Sequence, residues 1–219
     1  MVGTSANPAA PADPALPPLP AADPARVSGF RPALGFAPEL LLQAQGTATG
    51  LKAAIFDVDG VLTDGSLHIS AQGEEVKVFH ALDGHGLKLL ARGGILPIVI
   101  TGRDSPAVRR RVADLGLTHA SYGAADKLAV AEGWLRQLGL GWHEVAVIGD
   151  DWPDLPLLLR AAFACVPANA HAECQAVAHH VTALRGGAGA AREFCDLLLM
   201  AAGRYDALLA GHLTTLDGA

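Results

Sequence analysis

The short apolar run Leu51-Lys52-Ala53-Ala54-Ile55-Phe56 stops abruptly on Asp57-Val58-Asp59, followed by Gly60. That junction constrains the fold more than any other stretch. A run of this kind makes a buried strand, at home in a parallel sheet with both faces covered. Glycine lets the backbone turn sharply where the strand ends. In open α/β sheets the crevice at the carboxyl ends of the strands is where ligands bind. Two carboxylates in one crevice repel each other unless they share a cation or a proton. A bound divalent metal, a general acid, or both would account for the pair. An isolated Asp-x-Asp is more often a turn with solvated side chains, so the rest of the chain decides.

The remainder repeats the pattern. Gly60 to Gly65 reads as a loop, and runs at 66–70 and 74–79 around Ala71-Gln72-Gly73 read as a hairpin. Asp83-Gly84-His85-Gly86 leads into a helix over 87–91, stopped by Gly93-Gly94. Ile95 to Ile100 is a second buried strand ending at Thr101-Gly102-Arg103, and Ser105-Pro106 opens a helix reaching Leu115. A short strand (119–122), a helix containing Lys127 (124–138), and a strand (145–148) ending on Gly149-Asp150-Asp151 follow. A helix over 154–162, a fifth strand at 163–166 and a candidate sixth at Val181-Thr182 complete the alternation. This predicts an α/β fold: a doubly wound, mainly parallel, Rossmann-like sheet flanked by helices. The gaps between strand ends leave room for an inserted β-hairpin but for no cap domain.

Three segments are expected. Residues 1–46 form a Pro/Ala-rich tail, disordered until a short helix at Pro38 to Ala44; nine of the fourteen prolines lie between Pro8 and Pro38. Residues 47–205 form the α/β domain, and 206–219 a flexible C-terminal tail. The formal charge of −6 argues against a nucleic-acid partner. No apolar run approaches the ~20 residues of a membrane span, and the tail lacks the apolar core of a signal peptide. Cys165, Cys174 and Cys195 contain no C-x-x-C pair and leave one cysteine over in any pairing, which fits buried thiols in a reducing cytoplasm.

Asp57/Asp59, Thr101, Lys127 and Asp150/Asp151 stand at successive strand or helix ends and therefore converge in space. Taken singly, Thr101 is a cap or turn residue, Lys127 a solvated lysine, and Asp150, Asp151 and Asp154 helix caps. Together they supply a nucleophilic carboxylate, a second acid, a hydroxyl, an ammonium and metal-binding oxygens. Phosphoryl transfer through an aspartyl-phosphate needs that set, because a carboxylate must attack an already anionic phosphorus.

The series D-V-D-G-V (57–61), I-T-G-R (100–103), Lys127 and G-D-D-x-x-D (149–154) resembles the haloacid dehalogenase superfamily, on its phosphatase side. K-V-F-H-A-L-D-G-H-G (77–86), G-D-D-W-P-D-L-P (149–156) and R-G-G-A-G-A-A-R-E-F-C-D-L-L-L (185–199) resemble, more finely, the capless 3-deoxy-D-manno-octulosonate 8-phosphate phosphatases. The resemblance implies Mg²⁺ held by Asp57, Asp59 (through its carbonyl) and Asp150. It implies that Asp57 is the nucleophile, Asp59 the acid and base, and that Thr101 and Lys127 contact the phosphoryl group. Asp151 and Asp154 would stand behind them. The substrate would be a small sugar acid phosphate of lipopolysaccharide precursor synthesis, met by Asp59, His80, Asp83, Gly84, Lys88, Arg103, Arg111 and Lys127. Some members carry Asn and Arg where His80 and Leu82 stand here. The resemblance also implies a homotetramer whose hairpins close neighbouring sites; a surface hairpin on a monomer is the alternative. Gly186 to Gly189 before a helix reads as an anion cradle or as a hinge. A phosphatase of nine-carbon sugar acid phosphates, a receiver-like phosphoacceptor and a non-catalytic relative are the rival functions.

Overall fold

The computed structural model describes residues 32–46 and 50–214. The Pro/Ala-rich stretch up to residue 31 lies outside the described residues, as do 47–49 and 215–219. The short helix expected before the domain is present as α1 (Pro38–Ala44), with proline at its first turn.

The sheet contains β1 (Ala53–Phe56), β4 (Leu96–Ile100), β5 (Ala120–Ser121), β6 (Val145–Ile148), β7 (Phe163–Val166) and β8 (His180–Val181). Its order is β5-β4-β1-β6-β7-β8, and all five pairings are parallel. The chain winds outward from β1 through β4 to β5, then returns to β6 and winds the other way. The switch point therefore lies between β1 and β6, where this class of sheet opens its binding crevice.

Alternation along the strands feeds two cores. Ala54, Phe56, Val99, Ile148 and Phe163 point to one face, and Ala53, Ile55, Ile98, Val147 and Ala164 to the other. The first face is covered by α2 (Ala81–Arg92), α3 (Pro106–Leu115) and α7 (Ala190–Ala201). The second is covered by α4 (Lys127–Leu138), α5 (Leu155–Leu158) and α6 (Ala172–Val177). With both faces dry, the central strands β1, β4, β6 and β7 are apolar throughout, as the sequence shows.

Several elements differ from expectation. Helix α2 begins at Ala81, so Asp83 to Gly86 lie inside it rather than before it. The helix expected over 154–162 is a 3₁₀ turn (Trp152–Asp154) followed by the four-residue α5. Helix α6 had no counterpart in the sequence reading. A last helix, α8 (Tyr205–Thr214), occupies most of the stretch expected as a flexible tail, and Tyr205 and Leu208 pack against the first core. The hairpin forms from β2 (His68–Ser70) and β3 (Gly73–Val76), antiparallel with one register irregularity.

Candidate active site

The loop after β1 is built by local hydrogen bonds. The N–H groups of Val61, Leu62 and Thr63 all donate to the carbonyl of Val58, and Asp57 N–H donates to Ile148 O at 3.1 Å. Gly60 has φ +87°, and a Cβ there would lie 2.1 Å from Asp150 Oδ2. Only glycine permits both the left-handed turn and the close approach of the two strand-end loops.

Asp57 and Lys127 are both buried, with Lys127 Nζ 2.8 Å from Asp57 Oδ1 and 2.7 Å from Asp154 Oδ1. Lys127 is the first residue of α4, whose N-cap Asp126 accepts the Ala129 N–H at 3.0 Å. Asp154 Oδ2 accepts N–H bonds from Asp150 (3.1 Å) and Asp151 (3.4 Å), so it braces the loop after β6 while holding the ammonium. Thr101 is buried at the end of β4, where its Oγ1 accepts the Arg103 N–H at 3.3 Å. A cleft of about 470 Å³ opens over these groups, lined among others by Asp57, Asp59, Thr101, Arg103, Lys127, Asp150 and Asp154.

The acids strain against one another. Burial, then repulsion from Asp154, pushes the Asp57 carboxyl up to about 7, although Lys127 pulls it down. Burial, then repulsion from Asp57 and Asp154, pushes Asp150 up to about 8. Burial lowers Lys127, but Asp57 and Asp154 outweigh it and hold the ammonium above its usual value. Oxygens of Asp57, Asp150 and Asp154 lie within 4.8 Å of one another, and Asp150 Oδ1 is buried with no hydrogen-bond partner. A small hard cation fits this all-oxygen cluster, since it takes up the orphaned oxygen and removes the repulsion.

No family model matches the chain. Individual relatives do. The 3-deoxy-D-manno-octulosonate 8-phosphate phosphatase KdsC of Haemophilus influenzae is 42% identical over 154 residues, covering 70% of this chain and 86% of its own. The chain belongs to the 3-deoxy-D-manno-octulosonate 8-phosphate phosphatase family. The Escherichia coli K12 member is 39% identical over 159 residues, covering 73% of this chain and 85% of its own. The Moraxella catarrhalis member, crystallised with a magnesium ion, a phosphate ion and KDO, superposes with a TM-score of 0.74. It is 38% identical, and the match covers 80% of this chain and 98% of that one.

The other residues expected from this phosphatase family divide three ways. Arg103 stays at the cleft mouth, exposed, 3.7 Å from Asp59 Oδ2. His80, Asp83, Gly84 and Arg111 gather instead in a narrow crevice between the start of α2 and α3. There Arg111 Nη2 donates to His80 O at 3.4 Å, its guanidinium 5.7 Å from the Phe79 ring centre. Asp83 is buried and accepts the N–H groups of Gly189 (3.3 Å) and Arg192 (2.8 Å) at the start of α7. Lys88 is exposed on α2 and is not among the cleft-lining residues.

The reading of Gly186 to Gly189 as an anion cradle is corrected too, because its N–H groups are already taken within the chain: Gly186 by Asn169 Oδ1, Gly187 by Val61 O, Ala188 by Arg185 O and Gly189 by Asp83. The hinge reading fares no better: a Cβ at Gly186 would lie 1.7 Å from Gly60 O, and Asn169 Oδ1 accepts the Gly186 N–H at 2.7 Å. The segment is a buttress of the loop after β1. His179 and His180 are structural as well, with His180 Nε2 2.9 Å from Glu193 Oε1. Sequence reasoning missed Lys77, whose ammonium meets Asp59 Oδ1. Its one signal is indirect, since a hairpin between residues 66 and 79 must return the chain to the place it left near Asp59.

Proposed function

We propose that this chain is a Mg²⁺-dependent phosphomonoesterase that hydrolyses 3-deoxy-D-manno-octulosonate 8-phosphate to the free sugar acid and phosphate. The observation that carries the reading is the buried Asp57–Lys127–Asp154 cluster at the sheet's switch point, with Asp150 within metal-sharing distance. Asp57 attacks phosphorus while the ester bond to the sugar oxygen breaks. Asp59 gives its proton to the departing alkoxide, then takes one from the water that attacks the aspartyl-phosphate. Lys127 and Thr101 face the phosphoryl oxygens and offset their charge. Asp57, Asp150 and the carbonyl of Asp59 would hold Mg²⁺, which would supply the positive charge that lets an anion approach an anion. The N–H bonds from Asp150 and Asp151 to Asp154 keep that acid turned toward Lys127.

Arg103 at the mouth meets the sugar acid's carboxylate, and His80 and Arg111, with Asp83 and Gly84 buried beside them, shape a separate crevice. Ile69, Val76 and Val78 on the hairpin and Leu82 on α2 are all more than half exposed, an apolar set that calls for cover. Subunits pairing through these hairpins, as a homotetramer in the cytoplasm, would provide it and close each cleft. Neither a nucleic acid nor a membrane enters this reading; no helix among the described residues is long and apolar enough to cross a membrane. Phosphate release measured across a panel of sugar acid phosphates with Mg²⁺ tests the assignment. The eight-carbon substrate should give the highest kcat/KM. Preference for a nine-carbon acid, or no release, contradicts it.

A further inference from the structure

Lys77 follows directly on β3, on the hairpin arm that runs back to the domain. Its side chain is only 1% exposed, and its ammonium is seated on Oδ1 of Asp59. Burying an ammonium is costly unless a partner offsets the lost hydration. A lysine driven so far inside, onto a carboxylate that lines the reaction cleft, is not an ordinary hairpin lysine. The two oxygens of Asp59 are thereby made unlike. Oδ1 is engaged by Lys77, whereas Oδ2 lies on the side of the exposed Arg103, 3.7 Å from its Nε.

We infer that Lys77 is the positioning residue for Asp59, fixing the carboxyl by Oδ1 so that Oδ2 is the atom that exchanges the proton. The inference rests on the reading of Asp59 as acid and base. In the first step Asp57 bonds to phosphorus, the phosphorus–oxygen ester bond breaks, and the proton on Oδ2 goes to the leaving oxygen. Oδ1 accepts a hydrogen bond from Lys77 both before and after that transfer, because a neutral carboxyl keeps an acceptor oxygen. The side chain therefore need not reorient between the step that spends its proton and the step that recovers one. Placement at this precision matters, since a misplacement of about 1 Å can cost about 10²-fold in rate. The hairpin that presents exposed Ile69 and Val78 outward thus carries, on its returning arm, the residue that aims the acid.

Leaving groups of different basicity separate this role from a merely structural one. Single-turnover release of the leaving group, the step before water attacks the aspartyl-phosphate, is followed for 3-deoxy-D-manno-octulosonate 8-phosphate, whose alkoxide needs a proton, and for p-nitrophenyl phosphate, whose phenolate does not. General acids contribute about 10²–10⁴-fold, so Lys77→Met should lose about 10²-fold on the sugar phosphate and less than about threefold on the aryl phosphate. Lys77→Arg should restore part of the loss. Adding Lys77→Met to Asp59→Asn should cost less than about threefold more, because the two residues act through one proton. Equal losses on the two substrates, or losses that multiply in the double variant, overturn the inference. If melting shows that Lys77→Met does not fold, Lys77→Gln carries the same comparison. Should Asp59→Asn itself ignore the leaving group, the acid–base reading fails, and the role of Lys77 with it. Should Asp59→Asn discriminate while Lys77→Met does not, only the role of Lys77 falls.

Discussion

The floor of the cleft and its mouth are built on different principles. On the floor, Asp57, Asp154 and Lys127 are each buried and hung from the ends of β1 and β6 or the first turn of α4. These groups hang on the ends of strands that are dry on both faces and on the turn and helix packed against them, so small displacements are resisted by close packing. At the mouth, Arg103, Leu67 and the outward hairpin residues Ile69 and Val78 stand in solvent, with Arg103's side chain 54% exposed; Lys77, buried on the returning arm, belongs with the floor. The difference separates chemistry from selection. Groups that must meet phosphorus in one geometry are held by the core, whereas groups that choose the sugar lie where a neighbour or a loop can reshape them.

If that division is right, floor substitutions strike kcat and mouth substitutions strike KM. Asp57→Asn should have the largest effect, lowering phosphate release by about 10⁴-fold or more while substrate binding, read by calorimetry, stays within about threefold. Lys127→Met should come next, with kcat down about 10²–10³-fold, the scale of removing one preorganised donor from developing charge. Arg103→Ala should raise KM for the sugar acid phosphate about tenfold with kcat nearly unchanged, the scale of one charge-assisted hydrogen bond. A large kcat effect at Arg103 with unchanged KM would break the comparison, since the mouth would then share in the chemistry.

A gentler test uses pH. Asp57 and Asp150 stand at about 7 and about 8 when folded, against about 3.9 for an unfolded aspartate. Between about pH 4 and 8 the folded chain therefore holds more protons than the unfolded one, and stability in chelator should fall as pH rises through that window. Mg²⁺ binds the deprotonated carboxylates, so the rise in Tm on adding Mg²⁺ should be greater at pH 8 than at pH 5. A rise independent of pH would mean that these acids are not the ones the ion meets.

Apart from Lys77, the floor was legible in the sequence and much of the mouth was not. An apolar run that ends on Asp, Thr or Gly-Asp-Asp marks a strand end directly, which is why Asp57, Thr101 and Asp150 could be placed together from residue order alone. Lys127 needed only the adjacent helix start. The beginning of α2 was hidden because Gly84 and Gly86 look like breakers. They are tolerated because neighbours leave no room: a Cβ at Gly84 would lie 2.2 Å from Arg111 Nη2, and one at Gly86 3.0 Å from Arg192 Cδ. Close approach between distant segments leaves no periodic trace. The same holds for Lys77, eighteen residues from Asp59, which the fold of the hairpin alone brings to it. Asp83 was expected to meet substrate because the family's substrate-binding loop falls on residues 80–84. Its actual partners, the first amides of α7, lie more than a hundred residues away.

The central claim is that the carboxylate of residue 57 becomes esterified with phosphate in each turnover. It is tested most directly by rapid acid quench of the enzyme with substrate and Mg²⁺, followed by mass spectrometry of the peptides. The added phosphoryl group should appear on the peptide spanning 53–77, localise to Asp57, and vanish in Asp57→Asn. Phosphate on another residue, or turnover that proceeds with no phosphorylated chain at any quench time, would contradict the account.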